Sequence, residues 1–250
     1  MLAQQLNVDT ISNNVANMTT TGFKRQRAQF QDLLYQTKIQ PGAASSDSTT
    51  IPSGIQQGLG VKAGSIYRIN EQGAFQNTSN PLDLAVKGVG YFQVTLPTGE
   101  TAYTRDGTFQ MDQSGQVVTS KGYLVQPGIT IPSGAVGITI NAAGQVLVKV
   151  QGQTALSNVG QLQLAAFPNE AGLDAIGDNL FMETEASGAA TTGNPAATGF
   201  GSLEQGMLES SNVNIVQEIT SLIQAQRAYE MNSKVIQTGD QMMNTITQLR

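Results

Sequence analysis

Cysteine, histidine and tryptophan are all absent from the 250 residues of this chain. Without thiolates or imidazoles, the chain cannot build the common zinc sites, a cysteine nucleophile or a catalytic triad with a histidine base. An enzyme of this composition would depend on carboxylates and lysines, and we expect no cofactor and no metal. A chain that cannot form disulfides is suited to a location either inside or outside the cell.

Charged side chains are also scarce. They make up 12% of the residues, with 18 acidic against 13 basic side chains. Since there is no basic excess to neutralise phosphates, a nucleic-acid partner is not expected. The first residues lack the charged head and apolar run of a signal peptide, and no later segment has the length of a membrane span. We therefore expect that, if the chain is exported, no signal peptide is cleaved from it.

Glycine and proline are concentrated in the middle of the chain. All eight prolines, and all but four of the 27 glycines, lie from Pro41 to Gly199. Both ends are thus free to be helical, while the middle is rich in turns. The sequence predicts three regions: a terminal helical domain over residues 1–35 and 208–250, an extended connector over residues 36–72 and 186–207, and an inserted antiparallel β domain over residues 73–185.

Apolar residues recur at helical spacing at both ends. Near the carboxyl end they form one continuous stripe over residues 212–248, and a shorter stripe lies near the amino end. Two such stripes favour a coiled-coil-like pair, although an ordinary core helix would show the same pattern. The candidate assembly residues are Leu6, Val8, Ile11, Val15, Ile215, Ile219, Leu222, Tyr229, Ile236 and Met243.

The remainder of the amino-terminal region is predicted in two parts. Residues 23–35 favour a second short helix, with Lys24, Arg25 and Arg27 on a solvated face. Residues 36–61 are rich in proline, glycine, serine and threonine, which excludes regular helix and indicates a linker or an extended surface arm. The residues that define this arm are Pro41, Ile51, Pro52, Ile55 and Leu59. The composition of residues 185–199 indicates a second linker.

From residue 60 onward the apolar pattern changes to a period of two. Residues 61–69, 82–86 and 91–96 alternate as strands do, and closely spaced turn signals follow them. This spacing predicts an antiparallel β domain, so the fold class is α+β. Asp106 and Asp112 are interpreted as turn residues rather than calcium ligands, because few other oxygen side chains lie near them.

Two other functional classes fit the composition less well. A glycosidase would need two carboxylates in one cleft, but the candidate acids fall at turns and no aromatic-rich groove accompanies them. A secreted adhesin or binding module would use the β domain as its binding surface.

Several motifs together resemble those of bacterial flagellar rod and hook proteins. The first is Ile-Ser-Asn-Asn-Val-Ala-Asn at residues 11–17, followed by Thr-Gly-Phe-Lys at 21–24. Asn-Pro-Leu-Asp-Leu-Ala-Val at 80–86 resembles the entry to the family's β domain, and Tyr-Thr-Arg-Asp-Gly at 103–107 resembles its next hairpins. The segments at 201–214 and 224–230 resemble its carboxyl-terminal pattern. The motifs occur in the family's order and cover nearly the whole chain.

This resemblance implies a structural subunit that polymerises into a rigid helical shaft and passes torque from motor to hook. Residues 35–61 resemble a segment that distinguishes the distal rod subunit from the otherwise similar hook subunit. A hook subunit or a proximal rod subunit of the same family remains an alternative. The implied partners are further copies of the chain, proximal rod and hook-type subunits, the surrounding basal-body rings and the flagellar type III export apparatus. The implied location is the basal body, across the periplasm, and no small-molecule substrate is implied.

Overall fold

The computed structural model describes residues 2–40, 44–46, 49–50, 53–152 and 155–248. The chain divides into two compact units. The helical unit comprises Met1–Val15, Gln26–Tyr67 and Val216–Arg250, and the β unit comprises Ala16–Arg25 and Arg68–Ile215.

Among its described residues, the helical unit contains two α-helices and three strand pairs. The helices are α1 (Leu2–Ala16) and α2 (Ile215–Gln248), where the apolar periodicity predicted them. The paired strands are β1 (Gln26–Asp32) with β6 (Val61–Arg68), β2 (Tyr35–Ile39) with β5 (Ile55–Gly58), and β3 (Ala44–Ser46) with β4 (Thr49–Thr50).

The prediction of a helix over residues 23–35 is wrong. Residues 26–32 form β1, which pairs with β6. The interpretation of Lys24 as part of a solvated helix face is also wrong, because this side chain is buried, whereas Arg27 is exposed. Both errors have one cause: the partners that decide these conformations lie tens of residues or more away along the chain.

The segment predicted as a linker or surface arm is a β-hairpin where the structure describes it. β2 pairs antiparallel with β5, with Tyr35 opposite Gly58 and Ile39 opposite Ile55. The exclusion of helix is confirmed for the described residues of the segment, and there backbone pairing gives this arm regular structure. Of the residues that define the arm, Pro41, Ile51 and Pro52 lie outside the described residues.

The β unit contains sixteen of the described strands. The strands of its largest sheet are β9 (Tyr91–Thr95), β10 (Thr101–Thr104), β11 (Phe109–Met111), β12 (Val117–Thr119), β13 (Leu124–Val125), β17 (Leu164–Ala166), β18 (Asp174–Gly177), β19 (Leu180–Met182) and β20 (Thr191–Gly193). They have the order β11-β12-β13-β9-β10-β19-β18, with β17 joining β9 to β20.

Smaller sheets complete the unit, and a 3₁₀ turn at Glu170–Gly172 precedes β18. One sheet has three antiparallel strands, and two pairs join the beginning of the unit to its end. The remaining strands are β14 (Ala135–Ile140), β15 (Gln145–Val150) and β16 (Ser157–Gln161), β7 (Phe75–Asn77) with β22 (Met207–Glu209), and β8 (Leu84–Lys87) with β21 (Ser202–Gln205).

Strand β9 carries the core because both of its faces are buried. Phe92 and Val94 belong to the larger apolar cluster, in which Phe92 packs edge-on against Phe109 with ring centroids 4.9 Å apart. Tyr91, on the opposite face, belongs to a second cluster that includes Tyr103. The strands predicted at residues 61–69, 82–86 and 91–96 are confirmed as β6, β8 and β9.

Two features of the turns refine the prediction from composition. Asp106 and Asp112 lie in turns, and each accepts a backbone N–H bond, from Thr108 at 3.0 Å and from Ser114 at 2.7 Å respectively. Within the segment for which composition indicated a second linker, β20 pairs with β17 and so extends the main sheet.

Candidate assembly site

Helix α2 exposes most of its apolar side chains. Its 34 residues span about 51 Å at 1.5 Å per residue, more than twice the length of the 15-residue α1. Val216, Val235 and Met243 are each about 70% exposed. Few monomers leave so long an apolar surface in water, and surfaces of this kind mark interaction sites.

The structure divides the ten predicted assembly residues into two groups. On α1, Ile11 is buried, and Leu6, Val8 and Val15 are half-buried. On α2, Leu222 is half-buried, and the other five are exposed: Ile215, Ile219, Tyr229, Ile236 and Met243. The predicted stripe on α2 is therefore free to contact another molecule, except at Leu222.

A polar contact joins α1, β1 and α2. Asn14 on α1 is 1% exposed, and its Nδ2 donates to Glu218 Oε2 on α2 at 3.2 Å. The same amide bonds both backbone groups of Gln26 at 2.8 Å, donating to the carbonyl oxygen and accepting from the N–H. Sequence reasoning placed Asn14 in a family motif but gave it no role, because the apolar stripe alone was used to pair the helices.

The β2–β5 hairpin adds a second exposed surface to the helical unit. Every residue of both strands is exposed. Tyr35 and Ile55 are more than half exposed, and Leu59, which follows β5, is 61% exposed. A two-stranded hairpin without a buried face has little to stabilise it on its own. Its apolar side chains are thus candidates for contact with another molecule.

A buried ionic cluster lies within the β unit. Glu209, on β22, is 1% exposed and receives two cations: Lys24 Nζ at 2.7 Å from Oε1 and Arg105 Nε at 2.8 Å from Oε2. The N–H of Gly73 donates to Glu209 Oε1 at 2.9 Å. Further donors of Arg105 bond the carbonyl oxygens of residues 86, 88 and 90. The cluster therefore brings three distant parts of the chain, at residues 24, 73 and 105, to one carboxylate.

The environment shifts the pKa values of two members of this cluster. Burial lowers the pKa of Lys24, and the opposing effect of Glu209 does not fully offset it. Burial alone would raise the pKa of Glu209, but the charges of Arg105 and Lys24, with their hydrogen bonds, hold that pKa below its ordinary value. Glu209 is therefore ionised near neutral pH, as its two cationic partners require.

Three of the motifs quoted above supply this cluster. Lys24 ends the Thr-Gly-Phe-Lys motif, Arg105 is the arginine of Tyr-Thr-Arg-Asp-Gly, and Glu209 lies in the segment 201–214. Sequence reasoning missed the cluster because each charge, taken locally, resembles a solvated one. The only available signal was that charged residues recur inside motifs of a chain that has few charges.

Within the described part of the chain, neither helix combines the length and the hydropathy that crossing a membrane requires. A β unit attached to a helix that exposes a long apolar stripe is typical of a subunit that buries that stripe in an assembly.

Comparison with known proteins agrees with this class. Residues 1–24 match the family described as flagella basal body rod protein. Residues 85–148 match the D1 domain of flagellar hook protein FlgE/F/G, and residues 204–249 match the carboxyl-terminal family of flagellar basal body rod FlgEFG proteins.

Individual relatives extend the match to the whole chain. The chain is 62% identical to the flagellar basal-body rod protein FlgG of Caulobacter vibrioides, over 100% of this chain and 96% of that protein. It is 47% identical to FlgG of Borreliella burgdorferi, over 100% and 95%, and 40% identical to FlgG of Bacillus subtilis, over 98% and 94%. The chain belongs to the flagellar basal-body rod protein family, whose members are structural components of the basal body.

Proposed function

We propose that this chain is a structural subunit of the bacterial flagellar distal rod, polymerising into a rigid helical shaft that transmits torque from motor to hook. The observation that carries the proposal is the exposed apolar stripe of α2 in a chain of this family. A structural role of this kind needs no catalytic group, cofactor or small-molecule substrate, and it involves no nucleic acid.

The stripe suits contact between copies of one chain. Ile219, Tyr229 and Ile236 are between 42% and 51% exposed in the single chain, so each has roughly half its surface left to bury. Complete burial of such a side chain contributes about 1.5–3 kcal/mol. Many weak contacts of this size, repeated along a helix of about 51 Å, together give a stable interface, since a helical polymer repeats the same interface at every subunit.

We further propose that α1 and α2 pair in the manner of a coiled coil when the rod assembles. Ile11 on α1 and Ala225 on α2 are buried, and the Asn14–Glu218 hydrogen bond joins the two helices. A single buried polar contact between helices can fix their register. The part of α2 beyond Tyr229 stays exposed, and we propose that neighbouring subunits cover it.

The β2–β5 hairpin supplies a further contact in this proposal. A hairpin exposed on both faces would swing if nothing held it, whereas a shaft must be stiff. We propose that Ile55 and Leu59 pack against a neighbouring subunit and limit this movement. Pro41, Ile51 and Pro52 belong to the same proposed rod-specific segment on the sequence pattern.

The remaining partners follow from the position of a distal rod. We propose that the subunit contacts proximal rod and hook-type subunits at the two ends of the shaft and the surrounding basal-body rings along it. It would reach the periplasm through the flagellar type III export apparatus, without cleavage of a signal peptide.

Electron microscopy of the purified, concentrated full chain tests the proposed function. We expect straight tubular particles of uniform diameter, because the interface repeats at every subunit. The control is the same preparation diluted below the assembly concentration, which should contain single chains. A concentrated preparation that contains only single chains, or particles that bend freely, would contradict the proposal.

A further inference from the structure

The β unit is closed by residues that lie almost at its carboxyl end. Strand β22 pairs with β7, and β21 pairs with β8, so the last strands of the unit bond to its first two. The N–H of Ser210 donates to the carbonyl oxygen of Ala74 at 2.8 Å, and the N–H of Gly22 donates to that of Glu209 at 2.8 Å. The unit therefore lacks part of its sheet structure until residue 210 is available.

Glu209 also neutralises the charges of two residues that lie much earlier in the sequence. Lys24 precedes it by 185 residues and Arg105 by 104 residues. Both cations are buried, with exposures of 5% and 6%, and both bond the same carboxylate. If the unit folded without Glu209, it would bury two cations with no carboxylate between them, at a free-energy cost comparable to the whole stability of a domain.

A chain that is made from its amino end presents Lys24 and Arg105 long before Glu209. We infer that the late position of Glu209 in the chain delays folding, so that the β unit stays unfolded until the chain has been made through this residue. The inference rests on the shared carboxylate, because the charge of one late residue, Glu209, compensates the charges of two early residues, Lys24 and Arg105. If the chain is exported as proposed above, this dependence on Glu209 also prolongs the unfolded state. The inference itself rests only on contacts within the β unit.

The test uses the natural chain stalled on the ribosome at two lengths, with either residue 205 or residue 214 as the last outside the exit tunnel. Limited proteolysis then reports whether the β unit is protected. We expect no protection at residue 205 and full protection at residue 214. Protection at the shorter length would overturn the inference.

Two variants separate the charge of Glu209 from the presence of β22. Glu209→Gln keeps the strand but removes the charge, and we expect it to be unprotected even at residue 214. The matched control is Glu204→Gln on the preceding strand, β21, because Glu204 forms only an exposed ion pair, with Lys87 at 3.5 Å. This control should behave like the natural chain, and equal protection of the two variants would refute a role for the buried charge.

A third variant distinguishes an uncompensated charge from a general failure to fold. Lys24→Met combined with Glu209→Gln removes one of the two cations that lack a counterion. We expect protection at residue 214 to return in part, and the purified double variant should melt at a higher temperature than Glu209→Gln alone. A double variant that is no better protected than Glu209→Gln would show that the two charges do not control folding.

Discussion

Replacing Ile236 by Asp should abolish rod assembly while leaving the chain folded. Ile236 is 51% exposed on α2, so the single chain loses little when the side chain changes. Surface substitutions away from special features usually alter stability by less than about 0.5 kcal/mol. Leu222 belongs to the same predicted stripe, but it is half-buried already, so an aspartate there would also disturb the single chain.

The size of the effect follows from the exposed fraction of Ile236 in the single chain. Burying the remaining half of an isoleucine contributes about 1 kcal/mol to each subunit contact. An aspartate at the same place adds the penalty for burying an unpaired carboxylate, several kcal/mol in a dry interface. Even a total of about 3 kcal/mol weakens the contact by more than a hundredfold. Because the interface repeats at every subunit, assembly should fail at concentrations that suffice for the natural chain.

The assay is sedimentation of the concentrated protein, followed by electron microscopy of the pellet. The matched control is Thr238→Asp, which places the same charge two residues along the same helix, about 200° around its axis. Thr238 is exposed, and its hydroxyl bonds only the preceding turn at the carbonyl oxygen of Lys234. Circular dichroism should show equal helix and strand content in both variants. Normal rods from Ile236→Asp would refute the proposed interface.

Three further predictions concern stability and the hairpin. Gly107→Ala should destabilise the β unit by at least about 2–3 kcal/mol in urea titrations, because the new Cβ would overlap the carbonyl oxygen of Leu84. The control is Gly137→Ala, whose new Cβ meets open space, and it should change stability by about 0.5 kcal/mol or less. The pKa of Glu209 is lowered from its ordinary value of 4.5 in the folded chain, so its contribution to stability should be complete above pH 4.5 and should disappear as the pH falls through the lowered pKa. Urea midpoints that stay constant across this acid range would contradict the prediction. Deleting residues 43–57 should leave polymerisation intact but give curved rods, and straight rods under the electron microscope would show that rigidity has another source.

Local periodicity predicted the helices and the main strands of this fold. A helix that buries one face shows this bias within a short window of sequence, as the half-buried Leu222 does on α2. Strand β1 was missed because its side chains are only partly buried and its partner β6 lies tens of residues away. The β2–β5 hairpin was missed for a related reason: a hairpin exposed on both faces carries no alternation to detect.

The candidate site was predicted unevenly. Five of the predicted assembly residues on α2 are exposed, since a surface stripe is a local property of one helix, and their role in assembly stays a prediction. The Asn14–Glu218 contact and the Lys24–Glu209–Arg105 cluster were not predicted, because a polar side chain finds its partner through the tertiary fold. A charge that looks solvated in sequence is buried when a counter-charge at the other end of the chain can reach it.

The central claim is that the exposed face of α2 becomes buried between copies of the chain, and thiol labelling tests it most directly. Because the chain has no cysteine, Ile236→Cys introduces a unique reactive thiol. In the single chain the side chain at this position is half exposed, so a maleimide should label the thiol rapidly. In assembled rods we expect labelling to slow by at least tenfold. Equal labelling rates in single chains and rods would contradict the account.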